Sequence, residues 1–237
     1  MQKILKYISG LLLLMLLSNS LSAQEPGSRI RGPRIGYDVA GLALLYLDPG
    51  RMIHTFSVDY EVLQDIYPVV EFGLQNVLFD QDSYSYSSNG LFARVGVDVN
   101  LLKYEKTNVY EMFYAGVRYG LSYMTHKADN IIVPEDYFSG LSGGGIPDQQ
   151  VNTHWISFVG GVKVEVFSNF FMGWSVLANF KLIQVNNKNM NPYNIPGFGK
   201  GDKKAGIILS YTLSYRIPVQ EYKPRKIIKK RVRTEEE

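Results

Sequence analysis

The 237-residue chain carries 25 basic and 22 acidic side chains, and its formal charge of +3 is too close to balance to imply a nucleic acid or other polyanion as partner. It holds no cysteine, which excludes a disulfide framework, thiolate chemistry, cysteine-held metals and a lipid anchor on a cysteine. Aromatic residues are plentiful at 13%, and charged residues, at 20%, fall below the quarter or so usual in soluble domains.

Residues 1–24 read as a secretory signal. Lys3 and Lys6 form a basic start, Ile8 to Leu17 an apolar run, and Ser20, Ser22 and Ala23 a small-residue cleavage zone. An apolar run of about ten residues is too short to cross a hydrocarbon layer, which needs roughly 20. Nothing after residue 24 is long and apolar enough for a membrane helix, so a membrane form must be a closed barrel with no unpaired edge.

Apolar residues then recur with period two across eight segments. The predicted strands are Ile35–Tyr46, Met52–Val62, Tyr67–Leu78, Gly90–Leu101, Tyr110–Tyr123, His154–Phe167, Phe170–Val185 and Ala205–Pro218. In the second, Phe56, Val58, Tyr60 and Val62 share one face, and Thr55, Ser57, Asp59 and Glu61 the other. The first alternates least cleanly, because Leu42 and Leu44 fall on the face that carries Asp38. The connections Phe79–Asn89, Met124–Thr153 and Asn186–Lys204 are long and fall on one side, with Leu47–Arg51 as a short fourth. Leu63–Ile66, Leu102–Val109 and Ser168-Asn169 are shorter and fall on the other, the asymmetry of outer-membrane barrels.

Residues 219–237 hold seven Lys or Arg and four Glu without apolar periodicity, and are predicted as a flexible basic periplasmic tail. Residues 25–218 then form the barrel, an all-β, eight-stranded, up-and-down antiparallel transmembrane β-barrel.

The apolar phase carries Tyr60, Phe72, Phe113, Tyr119, Phe158, Trp174, Phe180, Tyr211 and Tyr215. These would overfill the narrow interior of eight strands, so this phase is expected to face lipid. The opposite phase carries Gly36, Gly73, Gly96, Gly116, Gly120, Gly161 and Gly173. It also carries acids (Asp38, Asp59, Glu61, Glu71, Asp98, Glu165) and bases (Arg94, Arg118, Lys163, Lys181, Arg216) that can pair inside. Interfacial girdles are expected from Tyr37, Tyr67, Tyr110, Phe170 and Phe171 on one side, and from Tyr46, Tyr123, Trp155 and Phe180 on the other.

The opening Arg34-Ile-Gly-Tyr-Asp38, the run Tyr114-Ala-Gly-Val-Arg-Tyr-Gly120 and the Leu-Ser-Ala-Gln24 signal end together resemble small outer-membrane barrels of Bacteroidetes-type bacteria, a family of unknown function. The architecture also resembles OmpA-like and PorT-like eight-stranded barrels.

No catalytic, cofactor-binding or metal site is predicted, since no HExxH spacing occurs. The weaker alternative is a lipid-modifying enzyme. It rests on His54, His126 and His154 at the outward strand ends, with His126 and His154 on neighbouring strands near Asp129, Asp136 and Asp148. A second alternative is a surface binding module on loops 124–153 and 186–204, where Tyr193 and Phe198 would join Tyr84 and Tyr86 on the rim. The sequence therefore predicts an outer-membrane protein, not a pore, with a structural or secretion/assembly-complex support role. Its expected partners are outer-membrane lipid and envelope proteins met by extracellular loops or the basic tail, with no nucleic acid and no cofactor.

Overall fold

The computed structural model describes residues 29–81, 84–102, 110–131, 144–185 and 190–222. The segment predicted as a signal and most of the predicted basic tail lie outside these residues. In chain order the elements are β1 (Arg29–Arg31), β2 (Arg34–Asp38), α1 (Ala40–Leu47), β3 (Arg51–Asp59), β4 (Ile66–Gln81), β5 (Tyr84–Asn100) and β6 (Met112–Ile131). There follow β7 (Gly144–Phe167), β8 (Phe170–Val185), β9 (Asn194–Ile195), β10 (Gly199–Lys200), β11 (Ala205–Arg216) and β12 (Gln220–Tyr222).

Eight of these strands close into an antiparallel barrel, in the order β11-β2-β3-β4-β5-β6-β7-β8. Each pairs with its sequence neighbour, and the ring shuts where Ser214 of β11 meets Gly36 of β2. The period-two pattern is satisfied as expected. Phe56, Phe72, Val95, Val117, Phe158, Trp174 and Tyr215 point outward and are exposed, while Asp59, Glu71, Arg94, Arg118, Ser157 and Ser175 point into the lumen and are buried.

At the end bearing the termini the turns at 63–66 and 168–169 are tight. Asp65 and Asn169 adopt positive φ, at 65° and 64°, a conformation that short polar side chains tolerate. Glu165 accepts the Asn169 backbone N–H at 2.6 Å, and Asp65 accepts from Asn100 Nδ2 at 3.1 Å, so side chains lock these corners. β1 and β12 pair beneath the barrel, with Ile30 across from Glu221. The first residues beyond Pro218 thus continue as a strand.

Three expectations about the opposite end are corrected. The first predicted strand ends at Asp38, and Ala40–Leu47 form helix α1 instead of continuing to Tyr46. Ala and Leu favour helix, and the segment lacks the alternation that would hold a strand in register. The connection Phe79–Asn89 is not an open loop, because β4 and β5 stay paired out to Gln81 and Tyr84. Likewise β6 runs to Ile131 and β7 starts at Gly144, so most of Met124–Thr153 is strand; residues 132–143 lie outside the described residues. Cross-strand hydrogen bonds carry on past the apolar belt because polar exterior residues such as Thr125 and Lys127 suit a strand there equally well.

Candidate functional site

The lumen is the most densely built part of the molecule. Asp59 of β3 receives Arg34 Nε at 2.5 Å and Lys163 Nζ at 2.7 Å, tying β2 and β7 to β3. Glu71 of β4 pairs with Arg118 of β6 and with Arg94 of β5, the latter at 2.6 Å. Arg118 also reaches Asp98 Oδ2 at 2.9 Å. Nearer the termini, Arg216 meets Glu165 at 3.1 Å and stacks its guanidinium 3.7 Å from the Tyr110 ring centre. Arg34 lies 4.5 Å from the ring centre of Tyr67. Acids and bases are interleaved, so each buried charge faces its opposite, the condition under which charge tolerates burial.

Aromatic rings fill the rest of the lumen, and here the expected girdles are corrected. Tyr67, Tyr110, Phe171 and Trp155 are buried inside the barrel. The luminal glycines explain how an eight-stranded interior admits them. Trp155 lies against Gly120 and Tyr114 against Gly161, where a Cβ would overlap the rings. Small residues on one strand make room for large ones on the next. The sequence signal was present in the alternation itself, since Trp155 and Tyr114 share the phase of Ser157 and Gly116.

A further correction concerns 186–204, expected as an outward loop. Asn194 to Phe198 are buried in the barrel mouth, held by the short β9–β10 hairpin. Ile195 and Phe198 pack with Phe92, Met124, Val151 and Trp155, and Ile53 borders the cluster. Gly197 turns at φ 71° directly against the Phe92 ring. Asn179 donates to the carbonyls of Gly197 (3.3 Å) and Phe198 (2.9 Å), and Gln75 donates to Asn194 Oδ1 at 2.9 Å. This segment is a plug. Its run of Ile-Pro-Gly-Phe is more apolar than an exposed rim requires, and that was the available clue.

The histidines do not converge. His54 and His154 face outward, and their Nδ1 atoms bond Tyr37 Oη (2.7 Å) and Tyr119 Oη (2.8 Å) on adjacent strands. His126 faces inward, 1% exposed, with Tyr86 5.9 Å away ring to ring. Its register partner on β7 is Gln149, while that of His154 on β6 is Leu121. Asp129 is engaged by Lys127 at 2.9 Å, and Asp136 lies outside the described residues. Among the described residues no group of three or more His, Asp or Glu is placed to hold a metal.

On the rim above the plug, Phe79 stacks on Tyr193 at 5.6 Å, and Tyr86 Oη accepts the Tyr193 N–H at 3.2 Å. With Tyr84, Met190 and Asn191 these residues line a cleft of about 180 Å³.

A family profile matches residues 4–222, which spans the whole described barrel and the segment before it. The chain belongs to the DUF6048 family, a domain of unknown function. No curated protein matches the sequence. Among solved structures, this family member is similar to Ail, the attachment invasion locus protein of Yersinia pestis, at 11% identity and a TM-score of 0.41, over 81% of this chain and 100% of that one. It is also similar to Neisserial surface protein A (11% identity, TM-score 0.36, 81% and 97% covered). A third similar structure is the N-terminal β-barrel domain of Pseudomonas aeruginosa OprF (14% identity, TM-score 0.28, 82% and 100% covered).

Proposed function

We propose that this protein is an integral outer-membrane β-barrel, exported by residues 1–24, that acts as a structural or assembly-complex support and neither conducts nor catalyses. One observation carries this reading. Every barrel strand presents exposed apolar side chains outward, among them Ile35, Phe56, Phe72, Leu91, Phe113, Phe158, Trp174 and Leu209. A soluble monomer rarely exposes a contiguous apolar patch beyond a few hundred Å². A belt around a closed sheet instead suits hydrocarbon, which requires every backbone group to be paired within the wall.

The lumen argues against a pore, because ion pairs and aromatic rings fill its middle and the 194–198 plug fills its mouth. The separated histidines give no support to catalysis. The test is fractionation. The protein should remain with outer membranes through carbonate extraction, shift its gel mobility on boiling, and leave planar bilayers silent. Release by carbonate would overturn the membrane reading, and steady conductance the non-pore reading.

A second reading, surface capture of an envelope partner, draws on the aromatic cleft of Phe79, Tyr84 and Tyr193. Replacing Tyr84 and Tyr193 with Ala should then weaken partner capture and leave heat-modifiable mobility unchanged.

A further inference from the structure

The barrel wall is interrupted on one side, at the end away from the termini. β2 stops at Asp38, so it pairs only with Thr212–Arg216 of β11 and Phe56–Asp59 of β3. Beyond it, Ala205–Ser210 pair as strand with β8 alone, and Arg51–Thr55 with β4 alone. These two strand edges face each other across the width of a single strand, because β2 alone separates them lower down.

Backbone hydrogen-bond directions alternate along a strand. The Tyr211 carbonyl accepts the Val39 N–H on the β2 side, so the N–H and C=O groups of Leu209 and Ile207 point into the same gap. The side chains of Ile207 and Leu209 are 76% and 72% exposed, more than other outward residues on neighbouring strands. Helix α1 lies over the gap and leans on β3, where Gly41 sits against the Ile53 carbonyl. Its sequence, Ala-Gly-Leu-Ala-Leu-Leu-Tyr-Leu, has no polar face, and Tyr46 and Leu47 are 94% and 81% exposed.

We propose that Val39–Leu44 is a switch segment that leaves α1 and extends β2, closing this lateral seam as the missing upper half of the first strand. The inference rests on the barrel lying in a bilayer. There, neither water nor acyl chains can satisfy the open edges, and a peptide backbone can. This segment is tethered at the foot of the gap and continues in the direction of β2, antiparallel to both β11 and β3.

Continuing the observed registers, Asp38 with Thr212 and Tyr37 with Phe56, places Ala40 opposite Ser210 and Ile53. It places Leu42 opposite Ile208 and Arg51. In that strand Ala40, Leu42 and Leu44 face the lumen beside Ile53 and the plug cluster, while Val39, Gly41 and Ala43 face lipid. A segment apolar on both faces suits a strand covered on both sides. In the helical state the seam lies beside Ile53, which borders the apolar cluster around the plug. The two packings therefore make a lateral gate for apolar molecules.

The absence of cysteine makes disulfide trapping clean. Three double variants are made: A40C with S210C, L42C with I208C, and L44C with G206C. Each is oxidised by copper phenanthroline in outer membranes. In the closed strand all three are non-hydrogen-bonded pairs, with Cα atoms about 4.5 Å apart, within disulfide reach. In a helix, residues 40, 42 and 44 step about 200° around the axis and cannot all face β11.

All three should form intramolecular disulfides, each at least about fivefold above the off-register pair L42C with S210C, whose Cα atoms would be some 7–8 Å apart. Adding Gly41→Val should raise the L42C–I208C yield, because a side chain there collides with Ile53 in the helical state. Disulfides in one pair alone, in none, or between two copies through I208C would overturn the proposal. Heat-modifiable mobility before oxidation shows that each variant folds, and carbonate extraction tests the membrane reading separately.

Discussion

Trp155 lies against Gly120, its paired neighbour across the β6–β7 ladder, and the absence of a Cβ at Gly120 is what lets the indole enter the lumen. Replacing Gly120 with Val therefore overpacks a closed interior with no route of relief except ring displacement. A loss of roughly 1–3 kcal/mol is expected. Urea unfolding in detergent, followed by tryptophan fluorescence, should show a lower midpoint. Trp155→Leu in the same background should recover part of it.

Arg118 holds Glu71 and Asp98 together, and its removal leaves Asp98 buried without its guanidinium while Glu71 keeps Arg94. Arg118→Met should destabilise by about 3–5 kcal/mol, the scale for breaking a buried pair from one side. Combining it with Asp98→Leu should cost less than the two changes summed, because the stranded charge is removed as well. A double-mutant cycle on unfolding midpoints measures the coupling.

The plug should open before the barrel melts. Asn179→Leu removes two hydrogen bonds to Gly197 and Phe198 and leaves buried carbonyls without their donor, costing about 1–3 kcal/mol at that site. Hydrogen exchange should rise at residues 194–201 and stay unchanged in the middle of β5 and β6. Planar bilayers should remain silent, because the ion-pair layer beneath the plug is intact.

His126 sits beyond the apolar belt, whose last outward aromatic on β6 is Tyr123. Burial pushes its imidazole pKa below the ordinary value. Tyr86 lies nearest, with Lys127, Asp129 and Asp148 on the surrounding rim. A depressed histidine pKa means that the unfolded chain binds the proton more readily than the folded one. The stability is therefore complete above the unfolded pKa, about 6.5, and declines as pH falls through it. Unfolding midpoints should drop between pH 7.5 and 5.5, and His126→Phe should flatten that dependence. An equal slope in the variant would show that another group carries it.

The alternation makes most of the barrel readable from the sequence alone. Strands such as His54–Val62 and Leu91–Leu101 place polar residues on one phase and apolar ones on the other, and a one-residue slip would reverse both faces. The direction of the phases was also readable, because charges of both signs sit with glycine and must pair inside. The segment Val39–Leu47 resisted reading for the same physical reason. With apolar residues on both phases it prescribes no register, and α1 is one of two packings open to it.

What the sequence determined about this protein by itself was a closed antiparallel wall of eight strands with an apolar exterior, since a period of two and a membrane-sized strand length are local properties. Partners across the lumen were decided by tertiary structure alone. Trp155 could be assigned to a girdle until Gly120 was seen opposite it, and Phe198 to a rim until Phe92 and Trp155 were found around it. His126 and His154 could be joined until the pleat sent them to opposite faces. Those relations link residues distant in the chain, as with Gln75 and Asn194, which are 119 positions apart, and only closure of the barrel brings such residues into contact.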